Sequence, residues 1–236
     1  MNATLKRATL AQLDGPRITA ELDKEGYAPL PQLLDAEEAR ALAAWALDAG
    51  AKGLRESLDM RELGHGALWR LTAPLPDPLT AWREAFHTLL MPVARRWNET
   101  MGIASSDSAE PGDVPQRDRS HATLTRLRAG DHQALHQSAE GAGGFPLQLV
   151  VLLSEPGTDF TGGEFVMTEQ RPRMQSRPMV LPLRLGDAAL ITVAHRPFKG
   201  ASGYYRVNLR HAISRVRSGE RLGLELLLDD GPGPRR

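Results

Sequence analysis

Two histidines far apart in the chain have the surroundings of a metal site. His136 lies in Leu135-His136-Gln137-Ser138-Ala139-Glu140 and His211 in Arg210-His211, with Arg221 ten residues beyond. Neutral imidazole is a good ligand for divalent first-row metals. Two imidazoles plus one carboxylate on a single face leave three positions open for small ligands. The pair is one ligand short of that arrangement. On spacing alone, two hydrogen-bonded histidines in a core or on a surface fit equally well, so the elements that carry them decide.

From about residue 121 the chain breaks into short apolar or alternating segments separated by turn residues, the pattern of an all-β sandwich or barrel. Strands are expected near 122–128, 133–138, 146–154, 163–168, 178–183, 188–194, 205–213 and 221–228. The separators include Ala129-Gly130-Asp131, Gly141 to Gly144, Lys199 to Gly203 and Arg217-Ser218-Gly219. Eight antiparallel strands make a jelly roll, a cupin-like double-stranded β-helix of two facing sheets. Its second and seventh strands are neighbours, which brings His136 and His211 to the mouth.

The part before the strands is mostly helical. Pro16, Ile18 and Leu22 mark a short helix ending before Gly26, and Tyr27 to Leu34 reads as a short strand-like segment. Asp35 and Glu38 form a capping box for a helix running toward Gly50. A third helix runs from Pro78 through Trp82, Phe86 and Leu90 to Trp97, with Pro92 kinking or dividing it. Trp45, Trp82 and Trp97 fall at helical spacing and are expected in the core. Leu63 to Arg70, with Gly64 and Gly66, reads as a loop over the pocket in which His65 and Trp69 are candidate substrate contacts. The expected division is a helical support region and connector over 1–120, one roll over 121–230 and a frayed tail over 231–236, the helices packing on one outer sheet.

Composition narrows the classes. The 29 basic and 29 acidic side chains cancel and the pI is near 7.1, so nucleic acid is not an expected partner. There is no cysteine, hence no disulfide framework and no thiolate chemistry, which fits a cytoplasmic protein. The longest apolar run, Leu149 to Leu153, is too short to span a bilayer, and no signal peptide is read at Met1 to Asp14. A small-molecule substrate is expected, and the oligomeric state is open.

Several stretches carry a family resemblance. Thr125 to Asp131 leading into Leu135-His136-Gln137 resembles the first metal-binding motif of the Fe(II)/2-oxoglutarate-dependent oxygenases, where a His-x-Asp follows the turn. Phe145 to Gly157, Asp159 to Phe165 with Glu169 to Arg173, and Arg206 to His211 with Ser218 to Arg221 are similar to a bacterial branch of the prolyl-hydroxylase-like members. The resemblance implies the jelly roll, with His136 and His211 as ligands to Fe(II). It also implies 2-oxoglutarate as co-substrate, with Arg221 pairing its distal carboxylate and Thr125 and Leu127 beside it. His195, in Ala194-His195-Arg196-Pro197, is a candidate substrate contact near the rim, as are His132 and Trp69.

Three departures stand near the metal position. Ser138 replaces the carboxylate of His-x-Asp, and Leu127 replaces a tyrosine that reaches 2-oxoglutarate. Glu225 to Asp230 replaces the usual end of the last strand, which reads as drift. The implied readings are an oxygenase with a two-histidine site, a halogenase-type variant with an anion at the vacated position, and an iron-free member with a binding or metal-independent role. Glu140 or His132 could serve as a rescue ligand.

Overall fold

Helix α1 (Gly15–Glu25) starts where the Asp14 side chain accepts from the Arg17 backbone and ends at Gly26, whose φ of 79° is left-handed. A Cβ on Gly26 would meet Leu209 and Arg196, so the chain turns there against the sheet and enters β1 (Tyr27–Leu30). Asp35 and Glu38 close the expected capping box on α2 (Ala36–Lys52). Helix α3 (Asp77–Met101) is continuous through Pro92. Its Trp82 and Trp97 are buried, Trp97 donates to Asp23 on α1 at 2.7 Å, and Trp45 packs half-buried on the same core.

The computed structural model describes residues 13–71, 75–103, 122–138 and 145–228. The remaining strands are β2 (Leu54–Ser57), β3 (Gly64–His65), β4 (Ala67–Leu71), β5 (Ala122–Arg128), β6 (His132–His136), β7 (Leu147–Leu152), β8 (Phe160–Gly162), β9 (Phe165–Gln170), β10 (Arg177–Leu181), β11 (Ala188–Thr192), β12 (His195–Gly200), β13 (Gly203–Ile213) and β14 (Val216–Leu227). They form two antiparallel sheets, one ordered β1-β11-β7-β14-β5-β4-β2 with β8 on β14, the other β10-β9-β13-β6-β3 with β12 on β13. This is the expected jelly roll, extended at its edges.

Alternation along the larger sheet divides the apolar side chains. Leu124, Leu149, Val151, Leu190, Leu224 and Leu226 face the three helices. Leu127, Val150, Leu152, Ala189 and Ile191 face the inside of the roll and meet Met167, Val207, Leu209 and Ile213 from the smaller sheet. Each buried leucine or valine contributes on the order of 1.5–3 kcal/mol, so the two cores rather than local propensity hold the sheets at a fixed spacing. Among the described residues no helix is long and apolar enough to cross a membrane.

Three expectations change here. Leu63 to Arg70 is no covering loop: β3 pairs β6, β4 pairs β5, and Gly66 at φ 125° lets the chain step between sheets. The segment from His195 to Gly200 is a strand, hairpinned to β13 through the turn expected at Lys199 to Gly203. Arg217 to Gly219 lies inside β14. The first four strands all join the roll's sheets, so the chain before residue 120 shares its hydrogen-bond ladders rather than only supporting them. The connector, read at 104–119, the Gly141 to Gly144 separator and the tail lie outside the described residues.

Candidate metal and co-substrate site

Strands β6 and β13 are neighbours, and His136 is the register partner of His211. Directly opposed residues project to the same face, and the two rings lie with centroids 4.2 Å apart at a 56° tilt. His136 donates from Nδ1 to the Ala134 carbonyl at 2.9 Å, which leaves a lone pair on Nε2. The Gln133 amide nitrogen lies 3.3 Å from that Nε2. His211 is fully buried, stacks on Phe165 at 5.8 Å between centroids, and has no hydrogen-bond partner for either nitrogen among the described residues.

Burial, and then the neighbouring His136, hold the His211 pKa well below its ordinary value, so the ring is neutral. A neutral buried imidazole with unsatisfied nitrogens is the ligand form. It also has a consequence for the metal-free chain. Above about pH 6.5 neither folded nor unfolded His211 is protonated, and stability is insensitive to it. Below that value only the unfolded chain takes the proton, and stability falls by up to about 1.4 kcal/mol per pH unit. Urea unfolding from pH 7.5 down to 5 should show this loss, and His211→Leu should make it shallower by that amount; an unchanged slope would rule out a neutral buried ring.

The partners at the mouth were not all foreseen. The Gln137 amide donates to the carbonyls of Ala194 at 3.1 Å and Leu209 at 3.0 Å, strapping the end of β6 across the smaller sheet. Ser138 donates to the Gln148 amide oxygen at 2.9 Å. Gln148 is 0% exposed, projects inward with Val150 and Leu152, and its amide nitrogen has no partner among the described residues. Gln133, also inward, enters through the register shift between His211 and Ile213, which gives it rather than His132 the face of His136. Gln133 and Gln148 were missed because an isolated glutamine carries no chemical signature; Gln148 inside an otherwise apolar β7 was the available hint.

Arg221 is 3% exposed and projects into the roll from β14. Its Nε donates to the Gly163 carbonyl at 2.8 Å, while Nη1 has no partner among the described residues. Burial lowers its pKa to about 10, against the counteracting charge of Glu225. Arg221, Thr125 and Glu225 line one internal cavity with Phe165 and Ile213, so the guanidinium and His211 share the Phe165 wall. The Thr125 hydroxyl is buried and without a partner among the described residues, whereas Leu127 packs against the Gly66 turn. Glu225 thus faces the site instead of being drift at the end of a strand.

The other candidates sit elsewhere. Trp69 packs on Gly50 of α2, on the helix side of the larger sheet. His132 pairs with His65, ring centroids 5.2 Å apart, four residues along β6 from His136. His195 opposes Asn208 and shares its outer face with Arg206; the inward residue of that strand is Arg196, bound to Glu169 and to the Asp23 and Lys24 carbonyls that end α1. Alternation with period two puts one of each adjacent pair outside. Glu140 lies outside the described residues.

The two imidazoles fit Fe(II), and Arg221 with Thr125 fits an organic carboxylate. Among the described residues no third histidine, aspartate or glutamate is grouped with His136 and His211 closely enough to hold a metal. The protein's donors are therefore two neutral nitrogens, and a dianionic co-substrate would supply the charge that the missing carboxylate normally brings.

Comparison with known proteins bears on the family and the fold. The model of a family named Oxygenase-NA, described as "Oxygenase, catalysing oxidative methylation of damaged DNA", matches residues 66–231. Uncharacterized proteins from two strains of Mycobacterium tuberculosis, CDC 1551 and H37Rv, are 36% identical over 163 residues, covering 66% of this chain and 70% of theirs. A Pseudomonas putida prolyl-4-hydroxylase structure aligns with a TM-score of 0.55 at 12% identity over 92% of this chain and 96% of that one. The 2-oxoglutarate-dependent carbocyclase SnoK of nogalamycin biosynthesis aligns at 0.58 and 14%, over 92% and 84%. By sequence match over residues 66–231, the chain belongs to the Oxygenase-NA family, and its roll is the fold of solved Fe(II)/2-oxoglutarate-dependent oxygenases.

Proposed function

We propose that this protein is an Fe(II)/2-oxoglutarate-dependent oxygenase with a two-histidine site that hydroxylates a small molecule, such as an amino acid or a natural-product intermediate. The observation that carries the reading is the in-register His136 and His211 pair, with His211 buried, neutral and stacked on Phe165, which also lines the small cavity of Arg221. His136 and His211 would hold the iron, and Arg221 with Thr125 the distal carboxylate of 2-oxoglutarate. When bound, iron and co-substrate would let O2 act as the oxidant for C–H cleavage, one oxygen atom going into succinate as 2-oxoglutarate loses CO2 and the other into the hydroxylated product. The roll contributes a dry wall of Phe165, Leu209 and Ile213 that keeps bulk water from the reacting centre.

A second substrate reading comes from the family description, which names damaged DNA. A damaged base, once turned out of its stack, is itself a small heterocycle. The balanced charge and pI near 7.1 supply little of the field that binds a phosphate backbone. In addition Arg61, Arg70, Arg96, Arg126, Arg128 and Arg177 are held in ion pairs. The small-molecule reading is therefore carried first.

The test is anaerobic addition of Fe(II) and 2-oxoglutarate, with the visible charge-transfer band as readout, followed by O2 and a succinate assay. A band and succinate are expected. Absence of both in the wild-type chain and in Ser138→Asp would leave the iron-free alternative. Succinate dependent on chloride would mean halogen transfer. Stimulation by a methylated oligonucleotide, and by no amino acid in a panel, would replace the small-molecule reading with the DNA one.

A further inference from the structure

Resting on the co-substrate reading above, we infer that Gln148, fixed by Ser138, is the binding group for the 2-oxo-acid end of the co-substrate, so that Gln148 and Arg221 clamp the two ends of one dicarboxylate. Among the buried, inward side-chain donors without partners among the described residues are the Gln148 amide nitrogen and Arg221 Nη1, along with the Thr125 hydroxyl beside Arg221. An unsatisfied buried donor costs about 1–3 kcal/mol, and a ligand oxygen at each removes that cost. Gln148 has its amide oxygen already taken by Ser138, so the group can offer only N–H to a ligand.

The separation of the donors sets the ligand's length. Arg221 bends along β14, its Nη1 reaching within 2.8 Å of where a Cβ on Gly223 would stand. Gly223 is therefore tolerated where a side chain would block the guanidinium. Gln148 lies in the row of Leu227, Gly223 in the row of Leu152, four residues apart on β14. At about 3.3 Å per residue the two backbone rows from which the donors extend are roughly 13 Å apart along β14. An extended five-carbon chain, about 5 Å between its end carbons, with a carboxylate oxygen and a hydrogen bond of about 2.9 Å at each end, spans roughly 12–13 Å. A shorter mono-acid reaches only one donor.

Glu225 projects from the row between and offsets the guanidinium charge in the ligand-free protein. The incoming distal carboxylate therefore replaces an internal anion at Arg221, while nothing acidic among the described side chains is paired with the Gln148 end. Ser138 does two things at once. It vacates the carboxylate position, and it orients the amide that takes a carboxylate from the ligand instead.

The experiment is calorimetric titration of the full chain, with Mn(II) present and O2 excluded, using three probes. These are 2-oxoglutarate, levulinate, which lacks the carboxylate beside the oxo group, and 2-oxobutyrate, which lacks the distal one. Gln148→Leu is expected to weaken 2-oxoglutarate and 2-oxobutyrate about tenfold and to leave levulinate unchanged. Arg221→Met is expected to weaken 2-oxoglutarate and levulinate and to leave 2-oxobutyrate unchanged. Ser138→Ala should give a smaller loss than Gln148→Leu with the same probe pattern. Equal weakening of all three probes by Gln148→Leu, or no change, would overturn the assignment; Gln148→Met, close in shape to glutamine, repeats the measurement if the leucine variant fails to fold. If 2-oxoglutarate does not bind the wild-type chain, the co-substrate reading itself fails, and with it this inference.

Discussion

Ser138→Asp is expected to raise the affinity of this protein for Co(II), a spectroscopic stand-in for Fe(II), by at least about a hundredfold. Residues that merely orient a metal's ligands are worth about 10- to 100-fold in affinity, and a direct carboxylate brings both a bond and a charge. The existing donors are two neutral imidazoles, so the substitution changes the protein's contribution from no charge to one negative charge next to a dication. Ser138 reaches Gln148 at its amide oxygen, so the amide must turn over to donate its free nitrogen to the new carboxylate. Competition titration followed by the visible Co(II) spectrum gives the number. An affinity equal to the wild type would mean that residue 138 does not face the metal position, or that His136 and His211 are not ligands. The gain should come with a loss, since the same carboxylate would repel the anionic end of the co-substrate from Gln148.

Arg221→Met is expected to weaken 2-oxoglutarate binding and yet raise the melting temperature of the ligand-free chain. The guanidinium is buried with one bond to the Gly163 carbonyl, an unpartnered Nη1 and Glu225 as its offsetting charge. Its pKa is lowered from the ordinary arginine value to about 10. A cation whose folded pKa is depressed costs stability at every pH below that value, on the order of 3 kcal/mol here, and the cost fades only as pH rises past 10. Replacing a poorly compensated buried charge by an apolar side chain of similar length is commonly stabilising by about 1–4 kcal/mol, or roughly 3–10 °C for a chain of this size. Conversely, a 2-oxoglutarate concentration that saturates the wild type should stabilise it by mass action and shift the variant less. A melting temperature that falls in the variant would make Arg221 a structural residue and remove the reason for its unpartnered buried donor.

How much of this was readable in advance follows from what each signal depends on. The capping box at Asp35 and Glu38, the Gly26 terminus and the eight principal strands were legible because they are local patterns of turn residue, cap and alternation. Short edge elements were not. β3 has two residues, and β4 and β12 contain Arg70, Arg196 and Pro197, so their identity as strands comes from the neighbour that pairs with them. Trp69 and His195 read as pocket residues for a related reason, since residue type says nothing about face when the strand itself is not yet seen.

At the site, the sequence by itself determined the pair of histidines, the arginine ten residues on, and the loss of the carboxylate at Ser138. These are identities at spacings set by neighbouring strands. Tertiary structure alone decided what surrounds them. A register shift in β6 brings Gln133 to the histidines, inward alternation on β7 turns Gln148 toward Ser138, and the same alternation on β14 sets Glu225 near Arg221. The physical reason is that a buried donor or charge acquires its role from the partner it lacks or finds, and that partner is supplied by a strand distant in the chain.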